Sequence, residues 1–280
     1  MEDQRPIQGE EEDFSRSAYA AYAEQADVDP RCIPITLEGP VPEHEAIEYP
    51  DYPAHDHQTW RTLYERQARE LPGRACAEYL EGARLLGLGA DRIPGLRDIS
   101  VKLDEMVGWR IARIPGLLDT NDFLGFMARA HFPSTDYIRQ PEEIEYTPAP
   151  DCFHDIFGHM PTLTNPFFCR FFQSFAQTYL RVRDPKDIRA LERFYWFTVE
   201  FGLINTPEGR RIYGAGILSS PKEVLHSLSD AVEVIPFAPD RLGAQDYEVW
   251  HLQPILFAID SFEQLNEEFR DWARVKGWNA

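Results

Sequence analysis

Three residues dominate a chemical reading of this 280-residue chain: His154, His159 and Glu200. Glu200 is a lone carboxylate in Phe194-Tyr195-Trp196-Phe197-Thr198-Val199-Glu200-Phe201-Gly202-Leu203, the most aromatic stretch of the sequence. Burying an ionised carboxylate without a partner is costly, so such a group pairs, binds a metal or stays protonated. The basic residue upstream, Arg193, is two turns back. Better partners lie in His154-Asp155-Ile156-Phe157-Gly158-His159-Met160-Pro161. Two imidazoles and one carboxylate on an apolar scaffold form the ligand set of a non-haem Fe(II), which leaves positions open for oxygen.

Each of these residues also has a plainer use. A core histidine commonly just hydrogen-bonds to its neighbours, and short motifs have many false positives. His154 and His159 are five apart, not the i,i+4 of a zinc-protease helix, and an ideal α-helix would set them about 140° apart. His154 is therefore expected to enter from a helix start, while Asp155 and His159 form a rival pair on one face. Asp151 either holds the second ring nitrogen of His154 or caps the helix beginning there. Helical spacing puts Glu200 on one face with Trp196, Phe197 and Leu203. The run Tyr213 to Ser220 is glycine-rich without a Gly-Lys-Ser/Thr, so it is a tight turn or a backbone wall approached by a ligand. Arg139 is either a surface charge or a bidentate clamp for a carboxylate.

The elements that would position these groups are mostly helical. Periodicity and breakers predict helices over His57–Glu70 and Arg74–Leu86, the second stopped by Gly87. Thr120 reads as the N-cap of a helix from Asn121 to about Ala130. Asp184-Pro185 reads as cap and first turn of a long helix reaching Gly202. Short strands are predicted at Arg110–Ile114, Arg211–Tyr213, Val232–Pro236 and Tyr247–Leu252. Residues 1–28 read as a flexible acidic tail, and Pro30 to Pro53 as extended chain wrapped on a surface. No internal repeat or mid-chain linker appears, so residues 29–280 read as one mainly α (α+β) domain with small β-ribbons.

Composition narrows the partners. With 47 acidic against 28 basic residues the net charge is −19, which repels polyanions and excludes nucleic acid and anionic membrane as natural partners. Cys32, Cys76, Cys152 and Cys169 show no Cys-x-x-Cys spacing and read as reduced, buried thiols. There is no signal-like start and no apolar run near 18 residues, so a cytoplasmic protein is expected.

Joined in order, several segments resemble the pterin-dependent aromatic amino acid hydroxylases. They are Gly116-Leu117-Leu118 with Asp122-Phe123-Leu124, then Tyr137-Ile138-Arg139 and Tyr146-Thr147-Pro148. Asp151-x-x-His154-Asp155-x-x-Gly158-His159-x-Pro161, Tyr195 to Leu203 and Tyr213 to Ser220 complete the set. The resemblance spans about residues 45–265. Within the family it is strongest to the short bacterial phenylalanine 4-hydroxylases, on His154-Asp155, His131-Phe132-Pro133 and Asn205-Thr206-Pro207-Glu208-Gly209.

The resemblance implies that His154, His159 and Glu200 are iron ligands. It implies that Phe123 stacks on the pterin, with Gly116, Leu118, Thr120 and Tyr195 lining its site. Arg139, Thr147, Trp196, Gly216 and Ser219 would line the amino-acid pocket, Arg139 taking the carboxylate. Fe(II), a tetrahydropterin such as tetrahydrobiopterin, and O2 as co-substrate follow by the same resemblance. One departure is Ala149, where the family commonly has Glu. Trp196 and Val249 favour phenylalanine over tryptophan and tyrosine. A tryptophan 5-hydroxylase or meta-hydroxylating relative is the nearest alternative, and a zinc hydrolase or non-catalytic pterin- or amino-acid-binding protein the more distant ones. A monomer is expected, because Phe262, Leu265, Phe269, Trp272 and Val275 span only about two heptads.

Overall fold

The computed structural model describes residues 29–145, 147–249 and 251–278; the expected acidic tail over 1–28 lies outside the described residues. In chain order the elements are α1 (Ala54–Glu70), α2 (Ala77–Leu86), α3 (Leu96–Val107), β1 (Arg110–Ile114), α4 (Thr120–Met127) and β2 (His131–Thr135). A π-helical turn at His154–His159 precedes α5 (Pro166–Tyr179) and α6 (Pro185–Tyr195), and a second at Trp196–Glu200 continues α6. There follow β3 (Leu203–Thr206), β4 (Gly209–Ile212), α7 (Ala215–Leu218), α8 (Pro221–Ser227), β5 (Glu233–Pro236), α9 (Pro239–Gly243), β6 (Ile255–Ile259) and α10 (Phe262–Val275).

Two small sheets brace this helical body. β1 and β2 pair in parallel, Arg110 opposite His131 and Ile114 opposite Thr135. The other sheet runs β4-β3-β6-β5, antiparallel only between β3 and β4. The segment before α1 is not extended throughout: 3-10 turns at Pro30–Cys32 and His44–Ala46 flank a stretch that bridges Ile35 to Leu118 and Glu43 to Ala112. One apolar core runs from Ile47 to Trp278. At its centre Phe194 of α6 packs on Phe269 and Trp272 of α10, with ring centroids 5.2 and 5.3 Å apart. Each such fully buried ring contributes about 1.5–3 kcal/mol of burial free energy.

Local chemistry explains most boundaries and corrects several predicted ones. Asp184 caps α6 by accepting from Lys186 N at 2.8 Å. Asn165 caps α5 in the same way, accepting from Phe167 N at 2.9 Å. The α4 cap is Asp119, not Thr120: its carboxylate accepts from Asn121 N at 2.9 Å, one residue earlier than predicted. Arg74 ends a turn, Ala75 bridges Ile212, and α2 begins at Ala77. The described residues of 247–252 form no strand; the apolar run Ile255–Ile259 forms β6 instead, an inner strand between β3 and β5. The four cysteines are free and buried. Among the described residues no helix is long and apolar enough to cross a membrane.

Candidate active site

The π-helical turn resolves the awkward spacing of five. In a π-turn the backbone bonds run i→i+5, here from Met160 N to Asp155 O, so the chain returns to one face after five residues rather than four. His154 and His159 therefore point to one place, and their Nε2 atoms stand 3.1 Å apart. The second π-turn does the same for Glu200, with Phe201 N donating to Trp196 O at 2.9 Å. Its carboxylate lies 3.2 Å from His159 Nε2 and 3.6 Å from His154 Nε2. The π-register also changes what flanks Glu200. Tyr195, five residues back, hydrogen-bonds to it, whereas Phe197 turns into the core against Phe257 and Leu203 is buried in β3.

The three donors suit a divalent metal. Ligand atoms about 2.1 Å from a common ion stand roughly 3 to 3.5 Å from one another. Burial alone would raise the Glu200 carboxyl, but His159, His154 and Tyr195 outweigh it and hold it at about 2, ionised at neutral pH. Burial pushes His154 down to about 4, so its imidazole is neutral. The Ser219 hydroxyl donates to Ala215 O at 2.8 Å, which leaves its oxygen to accept from His154 Nδ1 at 3.0 Å. Nδ1 then carries the proton, and Nε2 offers its lone pair to the cluster.

That arrangement decides between the sequence alternatives. Asp151 does not hold the His154 ring: it caps the turn, accepting from His154 N at 3.1 Å, and the ring is held by Ser219. Asp155 accepts from Thr135 N at 2.8 Å and Thr135 Oγ1 at 3.0 Å and is not among the three clustered donors, so it serves β2.

Arg139 is not a surface charge either. Its side chain is only 8% exposed, and Nε and Nη2 each donate to the fully buried Asp151 at 2.8 Å. Burial disfavours both charges, yet the pairing keeps Asp151 below the usual carboxylate range and Arg139 cationic. Nη1 has no hydrogen-bond partner among the described residues. Ala149 is buried, and Arg139 is partnered by Asp151 without a carboxylate at 149.

A single cavity of about 880 Å³ gathers these groups. His154, His159 and Glu200 line it together with Gly116, Leu118, Thr120, Phe123 and Tyr195, and with Arg139, Thr147, Trp196, Gly216 and Ser219. Phe123 has its ring edge-on to Phe132 and Tyr195, at 6.2 and 6.4 Å, an aromatic platform beside the cluster. Trp196 is sandwiched between Phe201 at 4.5 Å and Tyr247 at 4.4 Å, both nearly parallel. Sequence reasoning passed over this stack because Tyr247 read as part of a strand. It also passed over Glu192 and Glu223, two further carboxylates on the cavity wall.

A helical body enclosing a His-His-Glu cluster and an aromatic-walled cavity has known counterparts. A family model for biopterin-dependent aromatic amino acid hydroxylases matches residues 42–276, and this chain belongs to that family. The phenylalanine-4-hydroxylase of Pseudomonas aeruginosa is 45% identical over 215 residues, which cover 76% of this chain and 81% of that protein. That of Chromobacterium violaceum is 42% identical, over 76% of this chain and 72% of the relative. A crystal structure of the C. violaceum enzyme with iron(III) and 7,8-dihydrobiopterin shares the fold at a TM-score of 0.77. Its sequence is 40% identical, with 84% of this chain and 88% of that one covered. Bovine tyrosine 3-monooxygenase is 38% identical, but this chain spans only 47% of it.

Proposed function

We propose that this chain is a non-haem Fe(II), tetrahydropterin-dependent monooxygenase that converts L-phenylalanine to L-tyrosine with O2. The observation that carries the reading is the convergence of His154 Nε2, His159 Nε2 and Glu200 on one point of a cavity also lined by Arg139 and the Trp196 stack. The similar bacterial phenylalanine-4-hydroxylases, one of them solved with iron and a dihydropterin, support it. A hydrolase or a binding protein without catalysis has no support in that family.

Iron and tetrahydropterin supply the oxygen chemistry; the chain binds, orients and shields. His154, His159 and Glu200 would hold the metal as two neutral donors and one anion, leaving the remaining positions to small ligands. Phe123 and Tyr195 would hold the pterin ring against the Gly116–Thr120 wall. Arg139, fixed by Asp151, would present its free Nη1 edge to the amino-acid carboxylate, with Thr147, Gly216 and Ser219 beside it. Trp196 would set the width of the ring pocket, because its own ring is clamped on both faces. Such fixed placement replaces translational entropy that the reactants would otherwise lose at the barrier.

The oligomeric reading is a monomer with one catalytic unit over 29–280. Phe262, Leu265, Phe269 and Trp272 of α10 are buried against the body and only Val275, at 74%, is exposed, so little of an apolar seam remains for another chain. A solution mass near 32.4 kDa is expected, and one near four times that would contradict it. The site is tested by anaerobic Fe(II) titration. One iron per chain is expected in the wild type and little in Glu200→Gln; full iron and full activity in that variant would remove Glu200 from the ligand set.

A further inference from the structure

Among the described residues, the cavity wall holds one carboxylate with no side-chain partner. Among the described residues lining the cavity, Glu145 pairs with Arg66, Asp155 with Thr135, Glu192 with Arg189 and Tyr179, and Glu200 with the two histidines. Glu223 has no such partner. It is 92% buried by its 8% exposure, and its Oε2 is enclosed without a hydrogen bond. Burial alone pushes its carboxyl up to about 7, with no basic group contributing. A buried carboxyl in that condition ionises only when something cationic joins it.

Its position is specific. Arg139 grips Asp151, Asp151 binds the backbone of His154, and the His154 ring binds Ser219, a continuous hydrogen-bonded chain along one side of the cavity. Glu223 stands four residues beyond Ser219, at the start of α8, with its backbone N 3.4 Å from the Ser220 hydroxyl. The Arg139 guanidinium and this spare carboxylate line the same cavity. A zwitterionic α-amino acid offers the matching pair, a carboxylate and an ammonium.

We infer that Glu223 receives the α-ammonium group of the amino-acid substrate, the anionic counterpart of the Arg139 clamp. The inference rests on the reading of the cavity as an aromatic amino-acid site. An ammonium–carboxylate contact in a water-poor pocket is a charge-assisted hydrogen bond, and its loss leaves a charge unpaired. Glu223 is therefore a specificity-determining residue that separates amino acids from aryl carboxylic acids of the same shape.

The test is calorimetric binding to the iron-loaded protein under anaerobic conditions, comparing phenylalanine with 3-phenylpropanoate, which lacks only the amino group. Wild type should bind phenylalanine at least about tenfold more tightly. Glu223→Gln, nearly isosteric, should bind phenylalanine about tenfold more weakly while 3-phenylpropanoate binds as before, so the preference collapses. Glu223→Asp should recover part of it. Unchanged phenylalanine affinity and preference in Glu223→Gln would overturn the inference and leave the site reading standing. If the variant does not fold, the wild-type comparison decides: equal affinity for the two ligands overturns the inference. Binding of neither ligand by the wild type would overturn the site reading itself.

Discussion

Removing the Ser219 hydroxyl should weaken iron binding although Ser219 touches no metal. Its oxygen accepts from His154 Nδ1 at 3.0 Å, while its proton is committed to Ala215 O at 2.8 Å. In Ser219→Ala the Nδ1–H loses that acceptor, and the ring is free to turn or to move its proton to Nε2, the atom needed for the metal. An unsatisfied buried donor costs about 1–3 kcal/mol. The His154 side chain is 17% exposed, so water replaces part of the bond and the lower half of that range applies. A loss of about 1.4 kcal/mol is a factor of about 10 in affinity, the low end of what lost outer partners of metal-bound histidines cost. The assay is anaerobic competition for Fe(II) against a colorimetric chelator, with Ser219→Thr as the variant that keeps the hydroxyl. Ser219→Ala within twofold of wild type would refute the claim that this bond sets the His154 tautomer.

Other consequences are open to mutation. Arg139→Lys should keep normal iron but raise the KM for the amino acid roughly tenfold or more, because one point charge cannot serve both Asp151 and a substrate carboxylate; an unchanged KM would free Arg139 of that role. Trp196→Phe should widen the stacked wall and shift competition towards tryptophan, within the roughly 10–200-fold that apolar size selection allows; wild type preferring tryptophan, or a shift the other way, would sink the phenylalanine assignment. Gly214→Ala should lower the melting temperature by several degrees and weaken iron binding, since a Cβ there would lie 2.4 Å from the backbone oxygen of Glu200; wild-type melting would show that the loop yields more easily than its contacts imply.

Much of the site was legible because its chemistry is local in sequence. A carboxylate among seven apolar or aromatic neighbours and a pair of nearby histidines announce a polar centre in an apolar frame. The family motifs then fixed fold and cofactors through the joint order of their segments. What the sequence concealed was geometry that propensity does not encode. Nothing in His154 to His159 distinguishes a π-turn from an α-turn, and that one extra residue per turn decides whether the histidines face each other. Partner choice was hidden too: Asp151 and Ser219 were both read as site residues, but which of them holds the His154 ring depends on α7 meeting the π-turn in space. β2 escaped notice because Pro133 interrupts its pattern; the strand pairs on one side only, where a missing N–H is tolerated. Tyr247 alternates like strand residues, yet it is spent stacking on Trp196.

The central claim is that one iron, one pterin and one aromatic amino acid meet in this cavity. The most direct measurement is anaerobic reconstitution with Fe(II), then addition of tetrahydropterin, oxygen and each aromatic amino acid in turn, with products identified by mass and retention. The account predicts para-tyrosine from phenylalanine as the main product, dependent on both iron and pterin, with at most slow turnover of tryptophan. Turnover without iron or pterin, or a hydroxylated tryptophan or meta-tyrosine as the main product, would contradict it.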